Sequence, residues 1–427
     1  MKRSTALLLV SVLFLAGVLA CGDTGASLPW SGCGNGDAVF PIVAWNGPPP
    51  DHFSDAAFRT LAEAGFNTVL SFVQHDSQNA ALLRLAQRHR ICALVWSPAL
   101  QKALKAGGAD PDSVVLDVLH SYRDRPGVLG FCLRDEPNAR EFRALGQLVA
   151  TIKQVLPGTV PYINLFPTYA SSRQLGLPTY EAYLDSFVST VRPPVLSFDH
   201  YPITTNGLRP DFYYNLELVR QRSLESGVPF WAFVLSTQHA SYPRPKEPYL
   251  RFALYSALAY GAKGIQYFTY WPPRGSGWQF ATAVVDAGGR PTWLYSTVSR
   301  INAELARLGP VLLSLQSLEV YHSDPVPKGC RKLPENWLVD PGAQTHLLFG
   351  YFRTSEDRRY LLVVNRNYTS GRIVTLRFTQ PVTEVREVTR SKLPGETWDF
   401  RKNQDRTVQV LMAAGDGMLF ALSLSEE

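Results

Sequence analysis

Val128-Leu129-Gly130-Phe131-Cys132-Leu133-Arg134-Asp135-Glu136-Pro137-Asn138 is a run of apolar or small residues that ends in three charges and a proline. An unbroken apolar run of this length reads as a parallel strand buried on both faces, and Pro137 stops it because proline cannot donate to a sheet. Strict alternation sets Gly130, Cys132, Arg134 and Glu136 on one side, with Asp135 on the other unless the strand has already turned. From Glu141 to Leu156 apolar residues recur at three-to-four spacing, so a helix is predicted next.

The same strand-then-helix unit recurs along the chain. The apolar runs are Phe40 to Trp45, Thr68 to Val73, Ile91 to Trp96, Val128 to Leu133, Val160 to Leu165, Val195 to Phe198, Phe230 to Leu235 and Gly264 to Tyr270. Eight units between residues 39 and 308 predict a (β/α)8 TIM barrel. The rival, an open doubly wound sheet, needs a glycine-rich phosphate turn after its first strand, and Trp45-Asn46-Gly47-Pro48-Pro49-Pro50 is not one. Beyond Leu308-Gly309-Pro310 the pattern changes to short alternating runs, among them Tyr360 to Asn365, Ile373 to Phe378 and Thr407 to Met412. Residues 309–427 are therefore predicted to form a C-terminal antiparallel β domain, sandwich-like in build.

The N-terminus carries Lys2 and Arg3 ahead of an apolar run from Ala6 to Ala20, the order of an export signal over residues 1–20 and too short for comfortable membrane spanning. Its end, Val18-Leu19-Ala20-Cys21, resembles the lipobox of bacterial lipoproteins, which implies lipidation at Cys21 and attachment to the bacterial cell envelope. An ordinary secretory signal is the other reading. Residues 21–38, rich in Gly, Ser and Asp, read as a tether.

Composition narrows the function classes. Hydrophobic residues are 45% and charged residues 18% of the 427-residue chain, which excludes a collagen, a long coiled coil and a wholly disordered protein. The net charge of +6 is scattered rather than clustered, so nucleic acid is not an expected partner. Five cysteines are too few to staple a chain this long. Cys92 and Cys132, inside apolar runs, read as small buried hydrophobes, and an oxidising compartment would permit a Cys33–Cys330 disulfide. The chain has no G-x-S-x-G elbow, P-loop or H-E-x-x-H, and its eight histidines lack ligand spacing, so no metal or organic cofactor is expected.

In a barrel the chemistry gathers at the C-terminal ends of the strands. Glu136, at the end of the fourth run, is the candidate general acid, with Arg134 and Asp135 beside it; an ion-pair cluster closing the barrel rim is the alternative for the three charges. Asp199 ends the sixth run two residues after Ser197, hence on the same side, and is the first candidate for a second carboxylate; orienting His200 or Arg134 is its alternative role. Glu247, after the seventh run, could reach inward or stay solvated. Flat rings suit the C–H faces of sugars, and Trp45, Trp96, Tyr201, Tyr270, Trp271 and Trp278 all fall at or beyond predicted strand ends. Asn46, Gln74, His75, Asn164, Gln238 and His239 could bond hydroxyls at the same rim.

Arg134-Asp135-Glu136-Pro137 resembles the D-E-P form of the fourth-strand signature in the sugar-cleaving barrels of clan A glycoside hydrolases, which implies Glu136 as acid/base. Phe198-Asp199-His200-Tyr201-Pro202 is similar to their sixth-strand region. Gly261 to Trp271 is similar to their closing strand with its sugar-stacking tryptophan, and Tyr295 to Leu305, with Ile301-Asn302-Ala303-Glu304-Leu305, resembles the last barrel helix of β-galactosidase-like members. Tyr360 to Asn365 and Gly415-Asp416-Gly417 look like the β domain that follows such barrels. The departure is at the seventh strand, where the resemblance calls for a nucleophilic Glu and the chain reads Phe230-Trp231-Ala232-Phe233-Val234-Leu235-Ser236-Thr237. Two readings follow for a carbohydrate partner. One is a glycoside hydrolase using Glu136 and Asp199, with Arg134, Asp135, Trp45, His200, Tyr201, Gln238, Tyr270 and Trp271 around the sugar. The other is a glycan-binding surface lipoprotein on a degenerate barrel.

Overall fold

A computed structural model describes residues 39–105, 113–275, 280, 283–401 and 405–425. Residues 1–38, which include the expected export signal, Cys21, the expected tether and Cys33, lie outside the described residues, as does Trp278. The first eight strands of the main sheet are β1 (Ile42–Trp45), β2 (Thr68–Ser71), β3 (Cys92–Val95), β4 (Val128–Asp135), β5 (Val160–Leu165), β6 (Leu196–Phe198), β7 (Phe230–Leu235) and β8 (Ile265–Phe268). All pair in parallel and close in the order β1-β8-β7-β6-β5-β4-β3-β2, an eight-stranded barrel.

The apolar runs were legible because each strand is buried on both faces. Ala44, Val69, Phe131 and Ile163 face the helices, whereas Val43, Leu70, Leu94, Tyr162 and Trp231 fill the barrel. The crossover helices form where apolar residues recur on one stripe and a cap closes the start. In the helix Phe142–Val155 the buried residues are Phe142, Leu145, Leu148, Val149 and Ile152. Ser54 accepts from Ala57 N and Thr179 from Ala182 N, satisfying amides that no helical carbonyl reaches.

The C-terminal part is two antiparallel sheets around their own core. The larger orders Gln316–His322, Leu347–Arg353, Arg359–Asn365, Gly417–Leu424, Val382–Glu387 and Thr397–Asp399; the smaller orders Val339–Asp340, Arg372–Phe378 and Thr407–Met412. Alternation is plain in Arg372–Phe378, where Val374, Leu376 and Phe378 point inward and Ile373 outward. The last barrel helix, Trp293–Ser314, runs straight through Gly309-Pro310, where the sequence pattern changes. Pro310 forgoes one intrahelical hydrogen bond, and burial of Leu308, Gly309 and Leu312 on either side keeps the helix going.

Helix Glu247–Ala259 is buried from Leu250 to Ala259 because the β domain covers the face that the barrel does not. The approach is close enough to require glycine at 350, where a Cβ would stand 2.3 Å from the Ala259 carbonyl oxygen. Buried ion pairs tie the two parts: Arg251 meets Glu304 at 2.9 Å and Asp416 at 3.2 Å, and Arg390 meets Asp416 at 2.7 Å.

The cysteines depart from their reading in two places. Cys132 is a buried free thiol, but Cys92 is disulfide-bonded rather than a lone apolar filler. Cys330 is a free thiol, its sulfur 3.5 Å from the Tyr260 hydroxyl, so it is not paired with Cys33. Among the described residues no helix is long and apolar enough to cross a membrane.

Candidate active site

β4 does not alternate strictly. Its register with β5 runs Cys132↔Tyr162, then Arg134↔Ile163 and Asp135↔Asn164, so Leu133 is an extra residue, a β-bulge. One extra residue exchanges the faces of everything after it. Arg134, expected on the site side, turns outward and pairs with Glu141, Nε to Oε2 at 2.8 Å. Asp135, expected outside, turns inward. Glu136 then leaves the strand with a left-handed φ of 47°, a conformation that costs a non-glycine residue energy and concentrates at functional sites. Its N–H donates to Asn164 O at 2.9 Å, which fixes the turn.

Asn164, on β5, organises the carboxylates. Its Nδ2 donates to Asp135 Oδ1 at 3.0 Å and to Asp199 Oδ1 at 2.9 Å. Its own oxygen accepts from Ser197 Oγ at 2.9 Å, Ser197 accepts from Gln266 Nε2 at 2.8 Å, and Gln266 Oε1 accepts from the Tyr162 hydroxyl at 2.6 Å. This polar layer inside the barrel, satisfied throughout, holds the amide in one orientation. Ser197 and Asp199 both face the interior, as a spacing of two requires.

The three carboxylates open into a cavity of about 480 Å³ lined by Trp45, Asp135, Glu136, Asn164, Tyr169, Asp199, Tyr201, Phe233, His239, Tyr242, Phe268 and Phe280. Burial, and then the Asp135 charge beside it, push Glu136 up to about 7. Asp199 is raised well above the ordinary carboxylate range by burial and by Glu136 and Asp135. Asp135 is exposed into the cavity yet walled in by protein, so burial raises it too, opposed by the Asn164 hydrogen bond and the Arg134 charge. Three carboxylates this close do not all ionise at neutral pH, and the cluster therefore stores a proton.

Two tyrosines close one wall. Tyr169 OH and Tyr242 OH are 3.3 Å apart, and Arg209 Nη2 donates to Tyr242 OH at 3.4 Å while its guanidinium lies 4.0 Å from the centre of the Tyr169 ring. Tyr201 stacks on Phe268 with ring centres 5.9 Å apart.

Of the residues singled out in the sequence, Glu136, Asp199, Asp135, Trp45, Tyr201, Asn164 and His239 meet at this cavity. Others lie elsewhere. His200 is buried behind Tyr169, its ring 5.0 Å from that ring and its Nε2 3.4 Å from Asp211, so it backs the wall and does not line it. Gln238 lines a neighbouring cavity with Arg244, Phe280 and Trp293. Tyr270 and Trp271 are turned away because the chain after β8 doubles along the end of β1: Tyr270 N donates to Trp45 O and Trp271 N to Asn46 O, each at 3.0 Å. Tyr270 then packs on Phe66, and Trp271 on His52 and against Gly289. Glu247 is spent on Arg251 and Arg300. Tyr169, Tyr242, Phe233, Phe268 and Phe280 were not singled out. Phe233 and Phe268 sit inside apolar runs, where nothing distinguishes cavity from core, and Tyr169, Tyr242 and Phe280 lie in connecting segments without periodicity.

Among the described residues no group of His, Cys, Asp and Glu is arranged to hold a metal ion. A family model for glycoside hydrolase family 42, described as Beta-galactosidase, matches residues 150–308. The match begins after β4, so it includes Asn164 and Asp199 but not Asp135 or Glu136. No curated protein matches the chain. Over 90% of its length the chain is similar to 99% of a β-galactosidase from Bacillus circulans sp. alkalophilus, with a TM-score of 0.61 and 10% identity. A glycoside hydrolase family 5 structure from Bacteroides vulgatus matches at TM-score 0.56 and 13% identity, over 92% of this chain and 91% of that one. The chain spans 62% of the length of the β-galactosidase from the psychrophilic Marinomonas ef1, with 64% of its own residues, at TM-score 0.50 and 10% identity. At these identities the structures speak for the fold, a TIM barrel with a C-terminal β domain, and residues 150–308 of that fold carry the segment similar to glycoside hydrolase family 42.

Proposed function

We propose that the protein hydrolyses a glycosidic bond in the cavity at the C-terminal end of the barrel. The observation that carries this reading is the convergence of Asp135, Glu136 and Asp199 on one aromatic-walled cavity, with Glu136 lifted to about 7. A carboxyl group at that value still holds its proton near neutral pH and can give it to a leaving oxygen. Glu136 is the general acid. Asp199 is the second carboxylate, nucleophile or base, and Asp135 binds the sugar beside it. Both aspartates accept from Asn164 Nδ2 within 3.0 Å, so those two oxygens are no more than about 6 Å apart and Asp199 is held beside the β4 carboxylates. Trp45 and Tyr201 offer rings to the sugar. Arg134, His200, Tyr270 and Trp271 act through their neighbours, and Gln238 serves the adjoining cavity.

The similarity of residues 150–308 to a β-galactosidase family supports a carbohydrate substrate. In this reading the barrel, from residue 39 to the end of helix Trp293–Ser314, is catalytic and the β domain after it supports it, the protein being exported behind a signal of residues 1–20 and anchored in the cell envelope through lipid on Cys21 and a tether of residues 21–38. The test is hydrolysis of a panel of glycosides by wild type, Glu136→Gln and Asp199→Asn. Turnover by wild type that falls steeply in both variants supports the reading; equal turnover in all three eliminates the site.

One observation favours a second reading. β7 ends at Leu235 and is followed by Ser236-Thr237, with Ser236 Oγ committed to Thr269 O at 3.0 Å, so that strand end brings no carboxylate to the cavity. Wild type that binds glycans and turns none over would make the protein a glycan-binding lipoprotein.

A further inference from the structure

The three carboxylates are all on one side of the cavity. Asp135 and Glu136 come from β4 and Asp199 from the end of β6, joined by Asn164 on the β5 strand between them. In an eight-stranded closed barrel β8 lies across from β4, flanked by β1 and β7. The residues those strands bring to the cavity are Phe268, Trp45 and Phe233, all rings. A carboxylate nucleophile has to attack the anomeric carbon from the face opposite the acid, and that wall supplies none.

The cluster has instead the parts that recognise an acylamino group. Asp135 and Asp199 each have one oxygen held by Asn164, which orients the other oxygen of each as an acceptor for an N–H. The Tyr169 and Tyr242 hydroxyls are hydrogen-bonded at 3.3 Å and backed by Arg209, which leaves one O–H of the pair free to donate to an amide oxygen. The stacked Tyr201 and Phe268 rings give a methyl group an apolar wall.

We propose that the substrate is a 2-acylamino-2-deoxy glycoside and that its own amide oxygen is the nucleophile that β7 does not provide. This rests on the hydrolase reading above but replaces both roles open to Asp199 there: the amide oxygen is the nucleophile, Glu136 is acid and then base, and Asp199 stands with Asp135 as an acceptor for the amide N–H. In the first step the amide oxygen forms a bond to the anomeric carbon as the glycosidic C–O bond breaks. The leaving oxygen takes the proton of Glu136, and the amide N–H, made more acidic as its oxygen donates electrons, is held by Asp135. In the second step Glu136, now a carboxylate, takes a proton from water; the water oxygen bonds to the anomeric carbon and the C–O bond to the amide oxygen breaks. The sugar is released with its configuration retained and Glu136 regains its proton, so no further reactant is needed.

The experiment compares 4-methylumbelliferyl 2-acetamido-2-deoxy-glycosides of the gluco and galacto series, in both anomeric forms, with the matching 2-hydroxy glycosides. The full chain is used, with glycan binding measured in parallel. Expected is turnover of an acetamido substrate at least about 100-fold above its 2-hydroxy counterpart, a loss of kcat by about 10²-fold or more in Asp135→Asn, and no covalent adduct on mass spectrometry after 2-deoxy-2-fluoro glycosides. Comparable turnover of 2-hydroxy substrates, or a fluorosugar adduct on Asp199 or Asp135, overturns the inference and leaves the hydrolase reading standing. Binding without turnover of any member overturns both.

Discussion

Asp135 and Asp199 accept hydrogen bonds from the same nitrogen, Nδ2 of Asn164, at 3.0 Å and 2.9 Å. The amide lowers both carboxyls against the burial that raises them. Removing it in Asn164→Ala leaves two enclosed carboxylates with no donor between them. Their pKa values then rise further, and the acidic limb of the kcat/KM profile moves to higher pH with a rate loss of about 10-fold to 100-fold. A pH–rate profile of the variant checks this, and an unmoved acidic limb would dissociate Asn164 from the chemistry.

Glu136 carries a signed prediction for stability. Its folded value is near 7 against an ordinary 4.5, so the native state binds its proton more tightly than the unfolded chain does. Native stability from this group is therefore full below about 4.5 and declines as pH rises towards 7. Glu136→Gln should melt at the same temperature as wild type at pH 4 and at a higher one at pH 8. Calorimetry at the two pH values measures the difference, and a variant less stable at pH 8 would mean that Glu136 is not held against its charge.

The aromatic residues divide into two classes with different readouts. Tyr169 is 39% exposed at the cavity, so Tyr169→Ala should weaken glycan binding by about 1 to 3 kcal/mol and leave the melting temperature nearly unchanged. Trp271 is 2% exposed and packed on His52, so Trp271→Ala should cost about 3 to 5 kcal/mol of stability with little change in affinity for the folded fraction. Isothermal titration paired with denaturant unfolding separates them. Lost affinity at full stability in Trp271→Ala would return that ring to the sugar site.

These two classes also mark what the sequence could show. The eight barrel strands were legible because burial on both faces writes an apolar run, and Phe230–Leu235 and Val160–Leu165 match their runs end to end. The bulge at Leu133 was not, since one extra residue leaves composition and period unchanged while exchanging Arg134 for Asp135 at the site. Trp271 looked like a rim residue because it follows a strand, but the backbone hydrogen bonds that fold 270–271 along β1 are long-range and leave no local mark. Short strands such as Thr397–Asp399 carry too few residues for alternation to register.

Asp416 tests the joint between the two parts of the chain. It is 6% exposed and meets Arg251 and Arg390, so Asp416→Ala takes the carboxylate from Arg390 while Arg251 keeps Glu304 and Glu247. The expected cost is about 3 to 5 kcal/mol, with the barrel helix Glu247–Ala259 losing protection in hydrogen exchange. Unchanged exchange there would mean that apolar contact alone holds the β domain.

The proposed envelope anchor is lipid on Cys21. Cys21→Ser should move the protein from the membrane fraction to the soluble one, since lipid chains supply the anchoring. Wild type that is already soluble and unacylated by mass spectrometry would contradict the anchor.

The most direct measurement is the dependence of the Glu136→Gln defect on the leaving group. A general acid matters most where the departing oxygen is basic and least where it leaves unaided. For alkyl or sugar leaving groups the account predicts a loss of about 10² to 10⁴-fold in kcat/KM, and for a dinitrophenyl leaving group only a small one. An equal loss for both kinds of substrate, or none for either, would contradict Glu136 as the proton donor.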